Sequence, residues 1–243
     1  MIVGRHAVAE ALNSTPQLAQ ELLLAASERS PALGRLEDQA RQTGIKVRRV
    51  ERSRLDALAG GAAHQGVALV LGGAPYAGLE DIVESARRAG DRALVVLADH
   101  IQDPHNLGAL VRSAAAAGAQ GVVIPRDRAC PLTPAAAKAA AGGLGLVPVC
   151  RVTNLTDALE RLKQAGLWAL AAMTGGAPPP WELDLDRPLA LVVGSEHKGV
   201  GQRLLKACDM SASLPLARGV ESLNASVAAG VLLFEIVRQR TNS

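Results

Sequence analysis

Three stretches of the chain combine residue types that could act on a bound ligand. The first is Asp103-Pro104-His105-Asn106, which runs on through Leu107, Leu110 and Val111 to Arg112. Asn106 has the side chain of a helix N-cap. Leu107, Leu110, Val111 and Ala114 make an apolar stripe, and Arg112 falls about 200° from Leu110 at helical spacing, off that stripe. The second is Gly194-Ser195-Glu196-His197-Lys198-Gly199, directly after the apolar run Leu189 to Val193. Glycines at such a turn let backbone approach a ligand closely. The third is Ser222-Leu223-Asn224-Ala225-Ser226, where Ser222 could cap a long final helix with Val227, Val231, Phe234 and Ile236 packing behind it. Taken singly, each has an ordinary explanation. They read as a solvated arginine, a strand-to-helix turn with His197 on the surface, and a capped helix.

These stretches need elements to hold them. Residues 93–98 form a near-continuous apolar run, as expected of a strand buried on both faces. Helices are expected over 106–117, 133–141, 154–165 and 222–240, and strands over 121–125, 146–152, 167–173, 189–193 and 211–216. Strand and helix alternate, which predicts a doubly wound parallel α/β domain over 79–243, with ligands at the carboxyl ends of the strands. The first 72 residues predict a smaller α/β unit. It has helices at 4–13 and from Pro31 to Gly44, a short helix capped by Ser53 and ending at Gly60, and strands at 21–26, 46–50 and 66–71. The turn-rich stretch 73–78 reads as the linker.

Several function classes drop out. No G-x-G-x-x-G follows the first strand of the larger domain, and Gly142-Gly143-Leu144-Gly145 has the wrong order, ending a helix and opening a strand. No phosphate-binding G-x-x-x-x-G-K-[ST] occurs. Cys130, Cys150 and Cys208 are odd in number and widely spaced, which fits neither a metal site nor a disulfide framework and suits a reducing compartment. Aromatics make up 2% of the chain, too few for a base-stacking platform. The formal net charge is +3, and Lys46, Arg48, Arg49, Arg52 and Arg54 cluster against the single acid Glu51. That cluster is either a solvated face or a phosphate-contacting patch. No apolar stretch is long enough for a membrane span, so a cytosolic protein without a membrane partner is expected.

In combination the three stretches are specific. Asn106 with Arg112, Gly194-Ser195-Glu196-x-x-Gly199, and Ser222-Leu223-Asn224-x-Ser226 resemble, in spacing and order, the three motifs of the SpoU, or TrmH-like, branch of the SPOUT methyltransferases. The resemblance covers about the last two thirds of the chain. Gly4-Arg5-His6-Ala7-Val8, His64-Gln65-Gly66, Asp103-Pro104-His105-Asn106 and Val152-Thr153-Asn154-Leu155 resemble the member that methylates a guanosine ribose in the peptidyl-transferase loop of large-subunit ribosomal RNA. A transfer-RNA guanosine methyltransferase and a non-catalytic RNA-binding protein are the alternatives. One departure is His197-Lys198, where the related enzyme carries small polar residues and glycine.

The resemblance implies a parallel-sheet SPOUT domain with a C-terminal trefoil knot, preceded by a ribosomal-protein-like RNA-binding domain, in a homodimer with sites at the subunit interface. It implies S-adenosylmethionine as methyl donor, contacted by Gly194, Leu214 and Leu223 with Leu216 nearby, and Met173 and Thr174 are counted with them. Arg112 would act at the reacting hydroxyl, as base or as stabiliser of the oxyanion. Asn106, Glu196, Ser222 and Asn224 would orient it and the ribose, and Lys46, Arg48, Arg49, Arg52 and Arg54 would contact RNA. No metal is required.

Overall fold

The computed structural model describes residues 1–72, 75–195 and 198–241, with the backbone alone at Gln17. The chain forms two compact units, residues 1–75 and 76–243.

The first unit contains β1 (Ile2–Val3), α1 (Arg5–Ser14), β2 (Ala19–Ala25), α2 (Pro31–Gln42), β3 (Lys46–Val50), α3 (Arg52–Ala59) and β4 (Val67–Leu71). Its sheet has the order β1-β4-β2-β3, with β2 and β3 parallel and the other pairs antiparallel. Alternation along β2 builds a core on each face. Leu22 and Leu24 pack with Val8, Leu12, Leu33 and Leu36 of α1 and α2. Leu23 and Ala25 pack with Leu55 of α3 on the other side. Ser53 does not cap α3. Glu51 holds the N-cap position, and its side chain makes no capping hydrogen bond. In the turn before β4, Gly66 N donates to buried His64 Nδ1 at 3.0 Å, so the proton sits on Nε2, which donates to Asp56 Oδ1 at 2.8 Å.

The second unit comprises α4 (Leu79–Ala89), β5 (Leu94–Asp99), α5 (Pro104–Ala116), β6 (Gly121–Pro125), α6 (Pro134–Ala140), β7 (Val149–Val152), α7 (Leu155–Gln164), β8 (Trp168–Met173), β9 (Leu189–Gly194), α8 (Gln202–Lys206), β10 (Met210–Ser213) and α9 (Ala225–Thr241). The six strands form one parallel sheet in the order β10-β8-β9-β5-β6-β7. Every residue of β5 is buried. The sheet face carrying Val95, Leu97 and Val192 is covered by Ile82 and Val83 of α4, Leu155 and Leu159 of α7 and Leu204 of α8. Helix α5 packs against both α6 and α9. At Gly108 of α5 a Cβ would lie 2.3 Å from Ala136 O and 2.5 Å from the Ala139 Cβ, so only glycine lets α6 come this close. Near the end of α9, buried Arg240 donates to three carbonyls. Its Nη1 reaches Arg92 O at 2.9 Å, and its Nη2 reaches Ala93 O at 2.9 Å and Arg187 O at 2.7 Å.

Five further expectations are corrected. Helix α5 begins at Pro104, and its N-cap is Asp103, whose Oδ1 accepts from His105 N at 2.7 Å; Asn106 lies inside the first turn. Strand β7 starts at Val149, because residues 143–145 form a 3-10 turn and Leu146 is exposed. Strand β10 stops at Ser213, leaving 214–216 as loop. Helix α9 starts at Ala225 and is capped by Asn224, whose Oδ1 accepts from Ser226 N at 3.0 Å and Val227 N at 3.3 Å, so Ser222 caps nothing. Of the four apolar residues expected behind it only Ile236 is buried. Val227, Val231 and Phe234 are 52, 45 and 51% exposed.

Candidate active site

The carboxyl ends of β8, β9 and β10 open into an apolar pocket. It is lined by Ala172 and Met173 from β8 and Thr174 just beyond it, Val193 and Gly194 from β9, Ala212 from β10, and Leu214, Leu216, Ser222 and Leu223 from the following loop; Ala225, Ala228 and Leu232 of α9 close it. All six residues expected to contact a donor therefore line one cavity, with Ser222 beside them. The described lining carries no lysine, arginine, aspartate or glutamate. Such walls suit the apolar faces of an adenosine and a thioether or sulfonium, and they offer no cation to a phosphate.

The loop after β9 is held by backbone. Gly199 N donates to Ser195 O at 2.8 Å, and Gly199 has a φ of 63°. A Cβ on Gly194 would sit 2.0 Å from Gly199 C and 2.3 Å from Val200 N. Gly194 is thus required by the loop's own backbone, before any ligand is considered. Asp99, buried at the end of β5, ties the loop down by accepting from Gly201 N at 2.8 Å, and its other oxygen meets His100 Nδ1 at 2.5 Å.

The starts of α5 and α9 meet. Asn224 Nδ2 donates to Asn106 Oδ1 at 2.8 Å, while Asn224 Oδ1 also accepts from Ser226 Oγ at 2.7 Å. Asn224 therefore caps its own helix and clasps the neighbouring one.

Two family models match the chain. The one described as the SpoU rRNA methylase family matches residues 93–234, and the one described as RNA 2′-O ribose methyltransferase substrate binding matches residues 1–77. The chain belongs to the SpoU rRNA methylase family. Among curated relatives of this SpoU methyltransferase is the 23S rRNA (guanosine-2′-O-)-methyltransferase RlmB of Xanthomonas campestris, 41% identical over 98% of this chain and 96% of the relative. Among solved structures, the SpoU methyltransferase AviRb of Streptomyces viridochromogenes, in complex with AdoMet, superposes with a TM-score of 0.73 at 25% identity, covering all of this chain and 90% of that one. The TrmH/SpoU tRNA modifying enzyme of A. aeolicus matches 68% of this chain and 85% of its own, at 27% identity and a TM-score of 0.56.

The remaining expected residues of this SpoU enzyme are placed less uniformly. Glu196 and His197 lie outside the described residues. Arg112 is exposed on α5, with no hydrogen bond or ion pair among the described residues, and it lines no part of the pocket. Its backbone packs on the 3-10 turn, where a Cβ on Gly143 would lie 3.1 Å from the Arg112 Cα. The basic cluster of the first unit is less bare than its sequence reads. Arg48 pairs with Glu21 at 3.2 Å, Arg49 with Glu37 at 2.6 Å and Arg52 with Glu28 at 2.5 Å, while Lys46 lies 4.0 Å from Glu21. Folding supplies three carboxylates from distant segments that the linear window could not show. Asp99 was missed as well. The only signal for it was an acid at the end of an otherwise apolar strand.

Proposed function

We propose that this enzyme transfers the methyl group of S-adenosylmethionine to the 2′-oxygen of a guanosine ribose in 23S ribosomal RNA, within the peptidyl-transferase loop. The observation that carries this reading is the uncharged pocket formed by Met173, Thr174, Gly194, Leu214, Leu216 and Leu223 at the strand ends. Bound S-adenosylmethionine would supply an electrophilic methyl on a sulfonium. The chain's own residues must bring the ribose oxygen into line with it, and positioning of this kind contributes much of the rate. The Asn106–Asn224 clasp fixes one wall of that approach, and Ser222 faces the pocket. Arg112 is assigned the developing charge on the 2′-oxygen and the adjacent phosphate, because a guanidinium is too weak a base to take the proton, which is released to solvent as the thioether leaves. Glu196 completes the set of orienting residues.

The exposed stripe Val227, Val231 and Phe234, at i, i+4 and i+7 on α9, supports a homodimer. A second copy would then supply the Arg112 that a single chain holds away from its own pocket. The proposal includes the trefoil knot, a reducing cytoplasmic setting suited to three free cysteines, and a modular chain: 1–72 binds RNA through Lys46, Arg48, Arg49, Arg52 and Arg54, 73–78 links, and 79–243 catalyses. No helix of the described residues is long and apolar enough to cross a membrane. Transfer RNA is the second reading, favoured by the A. aeolicus likeness; the substrate-binding match over 1–77 favours ribosomal RNA. Incubation with labelled S-adenosylmethionine and either 23S ribosomal or transfer RNA, followed by mapping of the modified nucleotide, tests the reading. Label confined to transfer RNA, or absent from both, refutes it.

A further inference from the structure

Beside the donor pocket lies a second, polar cleft. It is lined by His100, Gln102, Asp103, Asn106 and Arg128, together with Ser195, Lys198, Gly199 and Gly201. Ser195 and Gly199 line both cavities, so the two adjoin. Asn106, clasped by Asn224, belongs to the cleft wall. Arg128 and Lys198 are exposed and have no carboxylate partner among the described residues, unlike the paired arginines of β3 and α3. Their charges are available to phosphates. His100 and Arg128 have φ angles of 57° and 58°. Bulky side chains hold that left-handed conformation at a cost, and residues under such strain concentrate at ligand sites. Asp99 fixes His100 in place through its Nδ1.

Among the described residues Asp103 is the only carboxylate lining this cleft. Its Oδ1 accepts the capping hydrogen bond from His105 N, and its Oδ2 has no partner among the described residues. We propose that this cleft takes the target nucleotide turned out of its RNA, and that Asp103 selects guanine. A carboxylate only accepts hydrogen bonds. Guanine alone among the four bases presents two adjacent donors, N1–H and the N2 amine, on its Watson–Crick edge. Adenine and cytosine pair one donor with an acceptor there, and uracil flanks its single donor with two. Arg128 and Lys198 then hold flanking phosphates while the ribose lies at Asn106, at the border with the donor pocket. Reading an unstacked base by this edge is the usual route to sequence specificity in single-stranded RNA.

This inference rests on the methyltransferase reading, and the test separates the two. The variant is Asp103→Asn, because asparagine caps a helix as well as aspartate while replacing an acceptor by a donor; Asp103→Ser, which also caps, is made in parallel. Wild type and variants are assayed on a synthetic 23S RNA fragment with either guanosine or inosine, which lacks the N2 amine, at the methylated position. Wild type should prefer guanosine in kcat/KM by about 5- to 150-fold, the range for one well-made base contact. The variants should methylate both RNAs alike, at or below the wild-type inosine rate because they also lose the acceptor for N1–H, with unchanged melting temperature and S-adenosylmethionine affinity. A wild type indifferent to inosine, or variants that keep the preference, overturns the role of Asp103 alone. A wild type that methylates neither RNA overturns this inference and the methyltransferase reading together.

Discussion

Replacing Gly194 by alanine is the smallest change that tests how the donor pocket is built. The added Cβ would lie 2.0 Å from Gly199 C, 2.2 Å from Gly199 O and 2.3 Å from Val200 N. Ordinary contact needs well over 3 Å, and all three neighbours are backbone. They cannot swing aside as a flexible side chain would. The Asp99–Gly201 hydrogen bond at 2.8 Å and the Gly199–Ser195 hydrogen bond at 2.8 Å resist any shift of the loop. Overpacking of this kind costs about 1–3 kcal/mol. In a protein of this size each kcal/mol lowers Tm by about 2–4 °C, so a fall of about 2–12 °C is expected. If the loop instead relaxes away from its native position, the same cost appears in donor binding as about 5- to 150-fold in Kd. Calorimetric melting and S-adenosylmethionine titration on one preparation measure both. Wild-type values of Tm and Kd together would refute the argument that loop backbone, packed on the end of β9, shapes the pocket.

Arg112→Ala should leave Tm within about 1–2 °C, since the side chain is exposed and unpaired among the described residues, yet lower single-turnover methylation about 100- to 1,000-fold. Arg112→Lys should not rescue it, because an ammonium lacks the planar fork, and near wild-type turnover in either variant removes Arg112 from the reaction. Asn224→Asp keeps the acceptor that caps α9 and loses the Nδ2 donor to Asn106, so methylation should fall while melting changes little; equal activity would deny the clasp a role. Burial pushes the Cys208 thiol up to about 12, so it should stay protonated and resist iodoacetamide in the native protein near neutral pH, which mass spectrometry of the alkylated peptides can check. Burial raises the carboxyl pKa of Asp209, but its hydrogen bonds with Ala169 N and Lys163 more than offset this and hold it below the ordinary 3.8. Its stabilising contribution is present above 3.8 and is lost as the pH falls through the depressed value, so Asp209→Asn should flatten acid unfolding in that window.

The parallel sheet was legible because β5 and β9 are apolar on both faces, and residues with alternating burial could not have produced those runs. The residues that line the pocket were legible only through the resemblance of the ordered motifs, since Gly194 at the end of β9 and Leu214 and Leu223 in the loop after β10 meet only once the parallel sheet has formed. Details decided by competition between neighbouring caps were not. Asp103 and Asn106 are both good N-caps, and Pro104 settles the choice by occupying the first helical position, where its missing N–H costs nothing. At α9 no proline decides, and Asn224 displaces Ser222 by accepting from Ser226 N and Val227 N. The exposure of Val227, Val231 and Phe234 was illegible because an apolar stripe looks the same whether it meets its own core or another surface. The ion pairs of Arg48, Arg49 and Arg52 depend on acids 12 to 27 positions away, beyond any local window.

The Arg240 staple also imposes a schedule. Its guanidinium binds Ala93 O, 147 positions earlier in the chain, at the threshold of β5. Synthesis proceeds at about 5–20 residues per second, so roughly 7–30 s separate the two residues as they are made. For about the first two thirds of that interval β5, apolar on both faces, also waits for its neighbour β9, which ends at Gly194. A nascent chain of this protein must therefore shelter a sticky strand while the rest is translated. Slower translation lengthens that exposure, and a holding chaperone shortens the risk without altering the finished molecule.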